Sequence, residues 1–133
     1  MKASFAHLGI NVSSEAKSFP FWKDLMRFLG YKVIHEMPGF FGAMNGEQSF
    51  WFTVTEKKYT KAGYHRKQTG LTHLAFKVAS KKAVDQFAEK FLRPRKMKTL
   101  YNTPKAFPEY TKKYYAVFFE DVDRIKIEVC HHE

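Results

Sequence analysis

The sequence predicts an α+β fold of two βαβββ modules in tandem, residues 1–58 and 68–133 of a single 133-residue domain, and three observations carry that prediction. The first is an internal repeat. Setting HLGINVSSEAKSFPFWKDLMRFLGYKVI over HLAFKVASKKAVDQFAEKFLRPRKMKTL, 66 residues further on, pairs His7 with His73, Leu8 with Leu74, Val12 with Val78, Ser14 with Ser80, Phe21 with Phe87, Arg27 with Arg93 and Lys32 with Lys98. A repeat on this scale marks a duplicated supersecondary unit. The second is a switch of hydrophobic period, from two ahead of Ser14 and Ser80 to the helical period behind them. The third is the placing of MPGF, MNGEQ and EDVDR, whose Pro, Gly, Asn and Asp suit strand reversals.

Each copy opens on a strand, over about 4–12 and about 71–79. Leu8, Ile10 and Val12 take one face of the first strand, and His7, Gly9 and Asn11 take the other. Leu74, Phe76 and Val78 alternate in the same way with His73, Ala75 and Lys77. Ser14 and Ser80 then supply hydroxyls that satisfy free amides in the first turn of a helix. Phe19, Trp22, Met26 and Leu29 form the apolar stripe of the first helix; Val84, Phe87, Phe91 and Leu92 form that of the second. Pro20 falls early in its helix, where proline costs least. Three strands follow in each copy, at about 31–37, 40–45 and 49–55, then about 97–101, 114–120 and 124–130, with KAGYHRKQTG bridging the copies.

Composition narrows the function classes. A chain with 44% hydrophobic residues, fourteen Phe, seven Tyr and two Trp has material for one sizeable core. The lone Cys130 excludes an internal disulfide, the start MKASFAHLGIN lacks the apolar run of a signal peptide, and no stretch reaches membrane-spanning length. A cytoplasmic chain is expected. The net charge of +10 gathers in EKKYTKAGYHRK, FLRPRKMK and YTKKYY, which read as solvated loop, helix-end and strand-edge surface. The expectation is therefore neither nucleic acid nor membrane as partner, but a positive field that attracts small anionic substrates.

A lone strand histidine is ordinarily solvated or hydrogen-bonded, so His73 needs partners before it carries chemistry. The repeat provides one, His7. Each of these histidines is followed on its face by a small residue, Gly9 or Ala75, which leaves room for a ligand. In the closing strand RIKIEVC, Ile125, Ile127 and Val129 alternate with Lys126, Glu128 and Cys130, so Glu128 faces away from the core. Two imidazoles and one carboxylate make a facial set for a divalent transition metal, with positions left open for water and a bidentate oxygen ligand.

The double βαβββ pattern, with HLGINV, GLTHLAFKV and YYAVFFEDVDRIKIEV, resembles the vicinal oxygen chelate superfamily, which holds glyoxalase, bleomycin-resistance, fosfomycin-resistance and extradiol dioxygenase proteins. The resemblance spans nearly the whole chain and is strongest to small glyoxalase-like members. It implies curved mixed sheets around a central cavity, a homodimer, and a divalent metal (Zn, Ni, Mn or Fe) held by His7, His73 and Glu128. Glyoxalase I proteins take a fourth ligand from the last strand of the first module, SFWFTVTEK, where alternation puts Thr53 in that slot and Glu56 on the other parity. A three-ligand set resembles instead the thiol transferases and ring-cleaving dioxygenases of the superfamily. The potassium loop of the former is not visible, and EDVDRIK replaces their usual DPDG turn.

Trp51, Thr53 and Tyr115 are the candidate substrate-binding residues. His35, His131 and His132 read as solvated ends, His65 as a coincidental second-sphere histidine, and Cys130 as a packed thiol. The expected function is a metal-dependent lyase, isomerase or transferase acting on a small substrate with adjacent oxygens. A metal-free drug- or metabolite-binding protein of the bleomycin-resistance type stands as the alternative, since one fold hosts both.

Overall fold

A computed structural model describes all residues from Met1 to Glu133. The chain divides into two compact units, Met1–Gly63 and Tyr64–Glu133, each with its own sheet. The first contains β1 (His7–Val12), α1 (Glu15–Phe28), β2 (Lys32–Met37), β3 (Phe40–Met44) and β4 (Ser49–Val54). The second contains β5 (Leu74–Lys77), α2 (Lys81–Phe87), β6 (Thr99–Ala106), β7 (Tyr115–Glu120) and β8 (Lys126–His131). Strand order is β1-β4-β3-β2 in one sheet and β5-β8-β7-β6 in the other, so the repeat in sequence is a repeat in topology. The opening strand of each unit lies parallel to the closing one, and the remaining pairs are antiparallel. No helix is long and apolar enough to cross a membrane.

Both helices start where a serine hydroxyl meets a first-turn amide: Ser14 Oγ accepts from Lys17 N at 3.2 Å, and Ser80 Oγ from Ala83 N at 3.1 Å. In α1, Phe19, Trp22, Leu25 and Met26 are buried against Ile10, Val12, Phe41 and Phe52, with Trp22 and Phe52 rings 4.9 Å apart. Leu25 rather than Leu29 completes the stripe. Pro20 is the sixth residue of α1, beyond the first turn, so its ring forfeits a bond to the Ala16 carbonyl; it sits on the exposed face. In the second unit α2 widens into a π-helical turn over Ala88–Leu92, closed by Arg93 N donating to Ala88 O at 3.0 Å. The wider turn lets the adjacent residues Phe91 and Leu92 both be buried.

Three expectations need correction, and the changed turn has a backbone consequence. The basic segment after β4 is a 3₁₀ helix, Lys57–Ala62, where a loop is expected. β5 starts only at Leu74, so His73 precedes the strand. β6 runs to Ala106 because a bulge between Leu100 and Lys105 resets its register. In the β7–β8 turn Arg124 takes φ 65°, a left-handed position that a glycine fills without strain. Asp121 Oδ1 holds that turn by accepting from the amides of Asp123 and Ile125, both at 2.8 Å.

The face of the first sheet turned away from α1 is aromatic. Register places Gly9, Trp51 and Gly42 in one row across β1, β4 and β3. The Trp51 indole lies across Gly42, stacked on Phe40 with centroids 5.6 Å apart, and His35 lies 5.9 Å away on a tilted ring. A methyl group at Gly42 would come within 2.5 Å of the indole, whereas one at Gly9 meets nothing within 4 Å. Gly42→Ala is expected to cost about 1–3 kcal/mol by forcing the stack apart. Gly9→Ala should change stability by less than about 1 kcal/mol. Urea unfolding of both variants checks the pair, and equal losses would contradict this placement of Trp51.

Candidate metal centre

In the second unit β8 is the second strand of its sheet, with β5 on one side and β7 on the other. Its Ile127 and Val129 are fully buried on the face that carries α2, so alternation sends Glu128 to the opposite face. Register sets Glu128 between Ala75 of β5 and Phe118 of β7. Ala75 has no bulk to cover the carboxylate, and the backbone just before it delivers His73.

Glu128 is only 2% exposed. A buried carboxylate is costly unless hydrogen-bonded or paired, and Tyr114, His73 and Cys130 all meet it. Tyr114 Oη donates to Oε1 at 2.5 Å, and His73 Nε2 lies 3.2 Å from Oε2. Burial, and then the bond to Glu128, push the Tyr114 phenol far above its ordinary range, so it stays protonated and remains a donor. On the other edge of the imidazole, His73 Nδ1 lies 3.0 Å from Thr72 Oγ1. A hydroxyl can donate or accept, so Thr72 serves whichever tautomer His73 adopts.

This pair fits a metal ion. Two donors each about 2.0–2.2 Å from one ion, in octahedral or tetrahedral geometry, are about 2.8–3.6 Å apart. The Nε2 to Oε2 separation of 3.2 Å falls in that range. Tyr114 and Thr72 then stand where outer partners of ligating carboxylates and histidines stand. Cys130, also on this face, is 3% exposed among Phe107, Ala116 and Phe118, and burial pushes its thiol up. It is packed, yet it also hydrogen-bonds Tyr114 and Glu128, which the reading of a merely packed thiol does not include.

The remaining predicted residues are distributed as follows. His7 is exposed at the start of β1, opposite Ser49, and within neither unit do three or more His, Cys, Asp or Glu side chains gather as a metal-holding group. Trp51 and Thr53 share the face of His7. Trp51, not Thr53, stands opposite Gly9 as Glu128 stands opposite Ala75, so the slot equivalent to Glu128 holds an indole. Tyr115 lies on the helix side of β7, where its hydroxyl donates to Asp85 at 2.7 Å and Lys81 covers its ring. Its neighbour Tyr114 is the residue that reaches Glu128. Parity carries that signal, since Tyr114 continues the even-numbered series Ala116 and Phe118 on the Glu128 face. His131 Nδ1 contacts the Val78 carbonyl at 3.1 Å, and His132 stacks on Tyr114 at 5.2 Å.

The fold and this donor pair define a two-module α+β protein with a carboxylate–imidazole centre on the second sheet. No family model matches the chain. It is 35% identical over 125 residues to YqjT, an uncharacterized protein of Bacillus subtilis, covering 92% of this chain and 94% of that one. A provisionally assigned glyoxalase from Bacillus halodurans superposes with a TM-score of 0.87 at 35% identity, covering 96% of this chain and 95% of that one. A lactoylglutathione lyase from Agrobacterium tumefaciens shares the fold at a TM-score of 0.68 and 15% identity, covering 98% and 94%. The chain belongs to the glyoxalase, bleomycin-resistance and dioxygenase group of proteins, the vicinal oxygen chelate superfamily.

Tyr114→Phe removes one of the side-chain partners of a buried carboxylate, leaving His73 and Cys130. A loss of about 1–3 kcal/mol is expected in urea unfolding near neutral pH. A change within experimental error would mean that Tyr114 does not support Glu128.

Proposed function

We propose that the protein is a divalent-metal-dependent enzyme, a lyase, isomerase or transferase, acting on a small anionic substrate with two adjacent oxygens. The observation that carries this reading is the buried Glu128 carboxylate with His73 Nε2 at 3.2 Å. His7, the repeat partner of His73, is the third ligand of the reading, on the ground of the sequence repeat and the family's pattern. Homodimer formation belongs to the same reading and rests on the same resemblance.

In this scheme His73 and Glu128 hold the ion, Thr72 fixes the imidazole and Tyr114 fixes the carboxylate. The ion, when bound, supplies positive charge to two substrate oxygens as negative charge develops on them. The carboxylate is walled off by Phe118 and its neighbours, which keeps local dielectric low and strengthens that stabilisation. The formal net charge of +10 supports an anionic substrate.

A second reading, a metal-free small-molecule binding protein, is favoured by one observation, the stack of Phe40, Trp51 and His35 on the first sheet. Such flat apolar surfaces take aromatic ligands without a metal.

Untagged protein, stripped with chelator and titrated with Zn, Ni, Mn and Fe(II), is expected to bind one ion per active site. His73→Ala and Glu128→Gln should each weaken that binding by about tenfold or more. Unchanged affinity in both variants would remove the metal reading. A ligand bound equally tightly by the stripped protein would transfer the assignment to the metal-free one.

A further inference from the structure

We propose that Tyr101 is the proton-transfer residue of the centre built on His73 and Glu128, exchanging a proton between its hydroxyl and an oxygen of a bound diol or hydroxyketone. The proposal deepens the metal-dependent reading above and rests on it. Its starting point is backbone geometry. Tyr101 and Asn102 are consecutive non-glycine residues at φ 59° and φ 54°, inside the bulge that interrupts β6 between Leu100 and Lys105. Asparagine tolerates left-handed backbone but tyrosine rarely adopts it, and strain of this kind persists where surrounding structure imposes it.

The strain sets the Tyr101 ring on the wall of the metal centre. It meets Phe118 edge-to-face at 5.5 Å, and the same Phe118 ring lies 6.1 Å from the His73 imidazole. Phe118 is also the register partner of Glu128. Phe118 thus touches both the Tyr101 ring and the His73 imidazole, and Tyr101, about half exposed, lies across that ring from the proposed centre.

The hydroxyl is placed among cations. Lys126 Nζ donates to Tyr101 Oη at 3.3 Å and lies 5.3 Å above each of the Tyr101 and Phe118 rings. Arg66, ahead of β5, also acts on Tyr101, while bonding Glu120 of β7 at 2.7 Å; Arg124 approaches the same Glu120 oxygen at 3.3 Å. Glu120, the carboxylate of β7 in this group, is thus shared by two guanidinium groups. Burial raises the Tyr101 phenol, but hydrogen bonding and charge from Lys126, then from Arg66, outweigh it and bring ionisation below the ordinary range. Tyr31, Tyr64, Tyr114 and Tyr115 are all shifted the other way.

The step balances without a further reactant. The phenolate oxygen takes the proton of a substrate O–H, the bonding pair stays on the substrate oxygen, and the neutral phenol later returns the proton to product or water. Lys126 and Arg66, by lowering the ionisation of the phenol, make the phenolate form easier to reach.

The test has a metal-free and a metal-loaded part. Ultraviolet titration of metal-free protein should show one phenol ionising below the ordinary value of about 10, absent in Tyr101→Phe and moved upward in Lys126→Met. Identical curves below that pH in wild type and Tyr101→Phe overturn the proposal and leave the metal reading untouched. Zinc-loaded protein is then titrated calorimetrically with 4-nitrocatechol, just above the measured Tyr101 ionisation, in two buffers of different protonation enthalpy. Wild type should retain the ligand's proton, and Tyr101→Phe should release about one more to buffer, with affinity about tenfold weaker. Equal proton release overturns the role of Tyr101 alone. Failure of zinc-loaded wild type to bind 4-nitrocatechol overturns the metal reading and this proposal together.

Discussion

The second unit is organised around a carboxylate that ought not to be buried. Glu128 sits in the sheet with 2% of its surface accessible, and no Lys or Arg pairs with it. Removing such a group from water costs several kcal/mol unless it is compensated. Its neighbours answer that requirement one by one. Ala75 stays small beside it, His73 comes to one oxygen, and Tyr114 donates to the other. The aromatic wall of Phe107 and Phe118 completes an environment in which a bound cation would be strongly favoured. Replacing a buried ion pair by apolar residues is often neutral or stabilising, so packing alone gives no reason for a carboxylate at this position.

The two units show how one topology carries different surfaces. Strand order, pairing sense and helix capping are the same in both, and the row Gly9, Trp51, Gly42 corresponds to Ala75, Glu128, Phe118. In the first unit the large group is an indole that needs a glycine beneath it. In the second the carboxylate occupies the same slot and the phenyl ring has moved to the neighbouring strand. The same topology therefore carries an aromatic surface in the first unit and a buried carboxylate in the second.

Much of this was legible in the sequence because it follows from period and repeat. The alignment of His7 with His73 sets the module order, and alternation in RIKIEVC is enough to turn Glu128 away from the core. The serine caps are local signals and were equally visible. Features that depend on an interrupted register were not. The bulge in β6 changes parity between Leu100 and Lys105, so no alternation pattern foretells that Tyr101 reaches Phe118 and Lys126. Thr53 was assigned to the slot of Trp51 because strand facing alone does not fix how far one strand is slid along another; that needs the pairing with Gly9. Tyr114 and Tyr115 both lie where β7 begins, and only the face of Ala116 and Phe118 distinguishes the one that reaches Glu128.

The central claim is that His73 and Glu128 are ligands of one metal ion. X-ray absorption spectroscopy of nickel-loaded protein, compared between wild type and His73→Ala, tests it most directly. Nitrogen and oxygen donors are expected at about 2.0–2.2 Å, with an imidazole scattering signature that diminishes in the variant. An unchanged imidazole signature in His73→Ala, or a sulfur donor at about 2.3 Å from Cys130, would contradict it.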